Sequence, residues 1–444
     1  MDYLEDKKLL ELRFSNGMMI LPFVRYKLLC TKNQDNTSSS IKVPVSKLTI
    51  IFRLFSNLIR IRVKRKKLLF FSSTLFNVEA EGKKGIYYNS MDGYYYDLFP
   101  EDSLLIEDAD EEFEWRTKNS YKSMSFIRTY LLFLSFALSR VFNRIKPIRR
   151  IDFDYVVKNY PGVYTIEELG RFDYFHRIYY SLIKWVLKKT RCNLVAVNCG
   201  SYGETYAPLI KAAHDLGIKV IEMQHGAILQ SHLGYHADDF IVNHDEYATY
   251  LPDILYSFGD YWKQNIDWKY EIIPVGNPHL NRYVKQYANE EVINDFLVIS
   301  QPPIRDYVLP FVKDLATLYP EKKIVLRLHP RDVTRFYQEI IDEYPNLSLS
   351  FSEINLYKDI SQSHYIVGGY STCLFEAMAF HKKIIIIDIP IVRKNFPADI
   401  GVWVKSAIEL KTLDKDNRNT IDSSQLWADG FEEKVRQRLK VYIK

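Results

Sequence analysis

The chain has 444 residues, enough for two or three domains at about 150 residues each, and Lys+Arg 60 against Asp+Glu 55 leaves a formal charge of only +5. With 47% hydrophobic and 26% charged residues it is not a disordered or low-complexity scaffold. Four scattered cysteines (Cys30, Cys192, Cys199, Cys373) exclude a disulfide framework and a Cys-x-x-Cys metal knuckle, and fit a reducing, cytoplasmic compartment.

The opening MDYLEDKKLLELRF is charged throughout and has no signal-peptide core. Residues 1–150 are irregular in pattern, with a polar loop at Asn33–Ser40. Two segments there are basic and apolar without a single acid, Ile41–Phe71 and Phe126–Arg150, and an acidic run from Asp97 to Glu114 lies between them. The longest apolar stretch, Tyr130–Leu138, is roughly half of a membrane span. Such segments suit either the inner face of an anionic plasma membrane or the ordinary surface of a folded domain. The charge comes with no nucleic-acid-binding signature, so no nucleic acid partner is expected.

From about Tyr164 the pattern becomes a regular alternation. NLVAVNC reads as a strand, GETYAPLIKAAHDLG as a helix closed by Gly217, and IKVIEMQ as a second strand. DDFIVN is expected as a strand, Tyr247–Leu255 as a helix and YEIIPVG as a strand. Residues 276–294 read as a linker, so 1–275 form one domain and 295–444 a second. In the second, FLVIS, KIVLRLHP, NLSLSF, HYIVGGY and KIIIID are strands separated by helices, and Ser424–Tyr442 is a last helix. The expected fold class is therefore α/β, with two Rossmann-like domains facing a cleft and a C-terminal helix.

Ligands of open α/β sheets sit beyond the carboxyl ends of the strands. KIVLRL runs into His329-Pro330-Arg331, where a histidine can donate to phosphate or base oxygens beside the cations Arg327 and Arg331. HYIVGG runs into Gly368, Gly369, Tyr370, Ser371 and Thr372, immediately before the helix CLFEAMAF. Its glycines, hydroxyls and helix N-terminus make a phosphate cradle, or simply a capped helix. IKVIEMQ ends at His225-Gly226, a candidate base. Glu204 stands at the start of the preceding helix, either in the cleft or answering the helix dipole. His232, His236 and His244 match no ligand spacing, so no metal is expected.

EMQHGAI, DDFIVNHDEY, VGNPHL, RLHPRD and VGGYSTCLFEAMAFHKKIIIID resemble bacterial glycosyltransferases of the GT-B fold that build surface polysaccharide. The Kdo/sialic-acid transferases and CDP-glycerol polymerases are the nearest in motif, and the resemblance covers Asn193 to Asp388. It implies metal-independent transfer from a nucleotide-sugar donor, CMP-linked donors included, to a growing capsule or lipopolysaccharide glycan or a lipid-linked acceptor. The donor is a substrate, and no cofactor is implied. It implies donor binding by His329, Ser371 and Thr372, with Pro330, Arg331, Gly369 and Glu376 beside them, and a base at His225 or Glu204. The acidic base motif of the sialyltransferases has only a partial counterpart, Met91-Asp92-Gly93. The alternatives are a UDP-N-acetylglucosamine 2-epimerase-like enzyme and a non-catalytic scaffold. Against the epimerase stands the lack of a strand and glycine-rich turn at the extreme N-terminus.

Overall fold

The computed structural model describes residues 6–32, 46–58, 61–79, 85–109, 121–329, 332, 334, 337–351, 355–412 and 421–444. Pro330 and Arg331 lie outside these, as do Lys42, Arg60 and residues 110–114 of the charged runs.

Strands β1 (Leu68–Ser73), β2 (Asn77–Glu79), β3 (Tyr87–Asn89), β4 (Ser103–Asp108), β5 (Met124–Ser125), β6 (Leu194–Val197), β7 (Lys219–Met223), β8 (Ile254–Ser257) and β9 (Glu271–Pro274) precede residue 275. Seven of them form one sheet in the order β5-β4-β1-β6-β7-β8-β9, parallel throughout, while β2 and β3 pair as an antiparallel hairpin. The second sheet takes β10 (Asn294–Ile299), β11 (Ile324–Arg327), β12 (Leu347–Ser350), β13 (Ser363–Gly368), β14 (Lys383–Ile387) and β15 (Val402–Val404) in the order β12-β11-β10-β13-β14-β15, again all parallel. Continuous apolar runs such as LVAV in β6 and IIII in β14 bury every side chain because helices cover both faces of each sheet. These two facing α/β domains are the GT-B-like architecture expected.

Three expectations need correction. Residues 1–150, expected as the irregular part of the first domain, supply three strands of its sheet, β1, β4 and β5. Leu68 to Phe71 in the middle of that sheet are fully buried, although by sequence they merge into the end of a basic run. DDFIVN is a short helix, Asp239–Val242, where two aspartates at the start favour a helix N-terminus over a strand. The helix expected over Tyr247–Leu255 is only Asp245–Ala248, and Pro252 precedes strand β8.

The chain crosses between the domains twice. It first passes at Gly276 into the helix Pro278–Gln286. It returns at the end, where the helix Phe431–Ile443 packs Phe431, Val435 and Leu439 into the core of the first sheet. The second domain drawn as 295–444 therefore loses its last helix to the first domain. Asn193 fixes that helix by donating from Nδ2 to the Tyr442 carbonyl at 2.7 Å.

A helix ahead of β1, Leu21–Lys32, inserts its apolar face into the core and buries Arg25 with it. The Arg25 guanidinium donates to the carbonyls of His236 (2.7 Å), Ser201 and Gly234 (both 3.1 Å) and Leu233 (3.2 Å). One cation thus binds together the two loops that follow β6 and β7.

Candidate functional site

In the first sheet the chain moves outward one way from β1 through β4 to β5, then returns beside β1 and moves the other way from β6 to β9. The order reverses between β1 and β6. In the second sheet it reverses between β10 and β13. Such switch points open a crevice at the carboxyl ends of the strands, and the unusual side chains gather at both.

At the first switch point Asn89 accepts from the backbone N–H groups of Met91 (3.0 Å) and Asp92 (2.8 Å) and so sets Asp92 at the start of its helix. Asp92 accepts from Asn198 Nδ2 at 2.9 Å and from Ser72, and the carbonyl of Asn198 accepts from the His225 ring. Burial raises the Asp92 carboxyl to about 6, and no described residue bonds its Oδ1 or the Oδ1 of Asn198. Asp92 is wholly enclosed, so it reaches the cleft only through Asn198 and His225.

His225 itself is half-buried. Its Nε2 lies 3.5 Å from the Tyr202 hydroxyl, and Cys199 Sγ is 3.8 Å from its Nδ1. Tyr202 also hydrogen-bonds His232 Nε2, while His232 Nδ1 lies 3.1 Å from the Ala227 carbonyl. A tyrosine hydroxyl therefore bridges two imidazoles. Burial holds both rings down at about 4, so both are neutral near pH 7. Behind them Glu222 is fully buried, accepts from Ser201 N and Oγ and from Tyr235 OH, and is raised by burial to about 7.

At the second switch point β13 ends in Gly368, and Ser371 caps the helix Thr372–Ala379 by accepting from the Cys373 N–H at 3.4 Å. Thr372 is exposed. A Cβ on Gly369 would meet Ile304 Cδ1 at 2.4 Å, so a larger residue there must displace that buried side chain. The turn after β11 is held by Asp332, whose Oδ2 accepts from His329 N at 3.3 Å and from Ser300 Oγ at 2.7 Å, and whose Oδ1 accepts from Arg305 at 3.0 Å. His329 is half-buried there. It and Ser371 follow β11 and β13, the two strands that flank β10 and so lie two strand spacings or about 10 Å apart.

Glu376 is half-buried, with its carboxyl against the Tyr357 hydroxyl and raised by burial to about 7. Tyr357 stacks on Tyr283 at 4.7 Å and lies 6.0 Å from His279, whose Nδ1 is 3.4 Å from the hydroxyl of Tyr94 in the first domain. Glu376 thereby joins the hinge that links the domains. Further along the cleft, Leu229, Gln230 and Ser231 face Lys394, Phe396 and Asp399 across a cavity of about 410 Å³. The loop of His225 and His232 runs directly into it.

Of the sequence candidates among the described residues, His225, His329, Gly369, Ser371 and Thr372 follow strands at the two expected edges, Glu376 joins the hinge, and two others are placed differently. Glu204 adopts φ 49° and is turned toward Tyr26, Tyr164 and Lys27 rather than toward His225, which leaves it outside the histidine cluster. Arg327 is not a free cation beside His329, because it pairs with Asp359 at 2.7 Å and donates to Ser350 Oγ. Sequence reasoning missed Tyr202, Arg25 and Asp332, and met Asp92 only as a partial motif match. Asp332 was visible in the RLHPRD motif, and Asp92 in Met91-Asp92-Gly93. Tyr202 and Arg25 carried no signal, since only the fold makes them neighbours of the histidines. Among the described residues no His, Cys, Asp and Glu side chains cluster so as to hold a metal ion.

No family model and no curated protein matches the chain. Solved structures do match over most of its length. A UDP-GlcNAc 2-epimerase from Neisseria meningitidis bound to UDP-GlcNAc is 14% identical, with a TM-score of 0.49 over 85% of this chain and 99% of that one. The UDP-GlcNAc 2-epimerase from Methanocaldococcus jannaschii is 12% identical, with a TM-score of 0.47 over 84% and 99%. That from Rickettsia bellii is 11% identical, with a TM-score of 0.43 over 85% and 96%. The expectation of a glycosyltransferase of surface-polysaccharide assembly is corrected by these matches, which carry the name of its alternative. What they share with the motif-based expectation is the two-domain fold.

Proposed function

We propose that the chain is an enzyme that binds a nucleotide sugar between its two domains and acts on that sugar nucleotide directly, in the manner of a UDP-N-acetylglucosamine 2-epimerase. The observation that carries this reading is the His225–Tyr202–His232 bridge at the carboxyl edge of the first sheet. Inversion at C2 removes its proton while the electron pair left behind expels the nucleotide diphosphate from the neighbouring anomeric carbon, and re-addition of that diphosphate goes with return of a proton to the other face, so it needs two groups that exchange roles. Two neutral imidazoles joined through one hydroxyl meet that need, whereas transfer to an acceptor asks for a single base. In this reading the nucleotide phosphates lie at the second switch point, on the N-terminus of the helix Thr372–Ala379 and the His329 turn, with Thr372 and His329 as donors.

The strand that this reading lacks at the extreme N-terminus has a candidate counterpart later in the chain, β1 at Leu68–Ser73, although the turn after it, Thr74–Phe76, carries no glycine. The deciding experiment incubates the purified full chain with UDP-GlcNAc, and with other UDP-hexoses, in D₂O without an acceptor. The expected result is deuterium at the inverted carbon and a second anomeric signal in the proton NMR spectrum. No exchange on any UDP-hexose under conditions where UDP binds would refute the epimerase chemistry. No affinity for any nucleotide would refute the site itself.

A further inference from the structure

Large exposed apolar side chains are concentrated on the helices Lys47–Asn57 and Ile127–Ile145. With Leu58 at the end of the first, they carry 11 of the 21 such residues among those described. Phe52 and Phe55 are 72% and 69% exposed, and Ile145 is 75% exposed. Singly exposed apolar residues are ordinary, but a cluster on adjacent elements marks a binding surface. The two helices are adjacent, since the Tyr130 hydroxyl donates to the Leu54 carbonyl.

The same face is cationic. Arg140 and Arg144, four residues apart on one stripe of their helix, line a groove of about 810 Å³ with Arg149 and Arg171, and Glu167 is its one acid. Arg140, Arg144 and Arg149 are exposed, and among the described residues none of the three makes an ion pair or a side-chain hydrogen bond. Neither helix contains an acidic residue. No described helix is long and apolar enough to cross a membrane.

We infer that this face docks on an anionic lipid bilayer, with both helices lying in the interface plane. Exposed phenylalanine and aliphatic side chains enter the acyl boundary, while the arginines meet lipid phosphates. Charge complementarity selects this occupant. A second copy of the chain would set the arginine groove against its own like charge across a two-fold axis. A nucleic acid would leave the aliphatic side chains in water. The inference stands independently of the sugar-nucleotide reading.

The test is flotation of the full chain with vesicles of about 70% phosphatidylcholine and 30% phosphatidylglycerol, beside vesicles of phosphatidylcholine alone. The wild type is expected to float only with the anionic vesicles. Arg140→Gln/Arg144→Gln is expected to weaken partitioning roughly thirtyfold, about fivefold for each cation near the surface. Phe52→Ser/Phe55→Ser is expected to abolish flotation while leaving the melting temperature and nucleotide affinity unchanged. If the phenylalanine pair fails to fold, the exposed arginine pair decides the outcome. Equal flotation with neutral vesicles, no flotation of the wild type, or variants that bind as the wild type does would each overturn the inference. So would a wild-type dimer in light scattering that the phenylalanine pair converts to a monomer, since the face would then be a self-interface.

Discussion

The two sheet edges that border the cleft are built in opposite ways. At the first, the polar and titratable groups are buried or half-buried and bonded to one another: Asp92 to Asn198, Asn198 to His225, Tyr202 to His232, and Glu222 to Ser201 and Tyr235. At the second, Thr372 stands exposed at a helix N-terminus, and the bracing carboxylate Asp332 is hidden beneath the turn it holds. Under the proposed function this difference separates two tasks. Moving protons calls for shielded groups with displaced pKa values, whereas holding phosphate calls for donors left open to the ligand.

Substitutions that divide turnover from binding sharpen this contrast. His225→Ala is expected to lower turnover about a thousandfold while UDP affinity, read by calorimetry, stays within about twofold. A parallel loss of both would place the phosphate beside His225 and break the division. Tyr202→Phe keeps the ring and removes the bridging hydroxyl, with an expected loss of about a hundredfold in turnover. Wild-type turnover in that variant would reduce the bridge to packing. On the other edge, Ser371→Ala/Thr372→Ala is expected to weaken UDP about tenfold, with a proportionate change in KM and little in kcat.

Stability offers a smaller contrast. The fold raises Glu222 from 4.5 and Asp92 from 3.8 to about 7 and about 6. The stability linked to their protonated forms is fully present below pH 4 and is lost as pH rises through 6 and 7. The melting temperature is therefore expected to fall across that window, and Glu222→Gln is expected to flatten the fall. An unchanged slope in the variant would remove Glu222 as its source. Least of all, Arg327→Met is expected to lower the melting temperature by a few degrees through its buried partner Asp359 without altering UDP affinity. A drop in affinity would restore Arg327 as a phosphate ligand.

The second domain was legible in the sequence because its strands are short apolar runs separated by helices with ordinary turn signals. KIIIID, KIVLRL and HYIVGG all lie where their patterns put them. The first domain was half legible. LLFFSS follows directly on a cluster of arginines and lysines, so local charge hid a central strand whose burial depends on β4 and β6, residues distant in sequence. For the same reason the site could be read only where a motif carried it. His225 and the Ser371 cap are local signals after strands. The meeting of Tyr202 with His232 depends on Arg25, which gathers their loops from a helix nearly 180 residues upstream in the chain. No pattern within a window predicts a contact of that range.

The two passages of the chain between domains run side by side. Gly276 takes φ 94°, and a Cβ there would lie 2.1 Å from the carbonyl oxygen of Ala428, while the Ala428 N–H donates to Phe258 in the first domain at 2.7 Å. The lobes are thus connected by a double strap rather than a single tether. Any opening of the cleft bends both bands at one place, which restricts the motion to swinging about one axis and resists twisting or sliding. A bulkier residue at 276 would jam that pivot from a position far from every reacting atom.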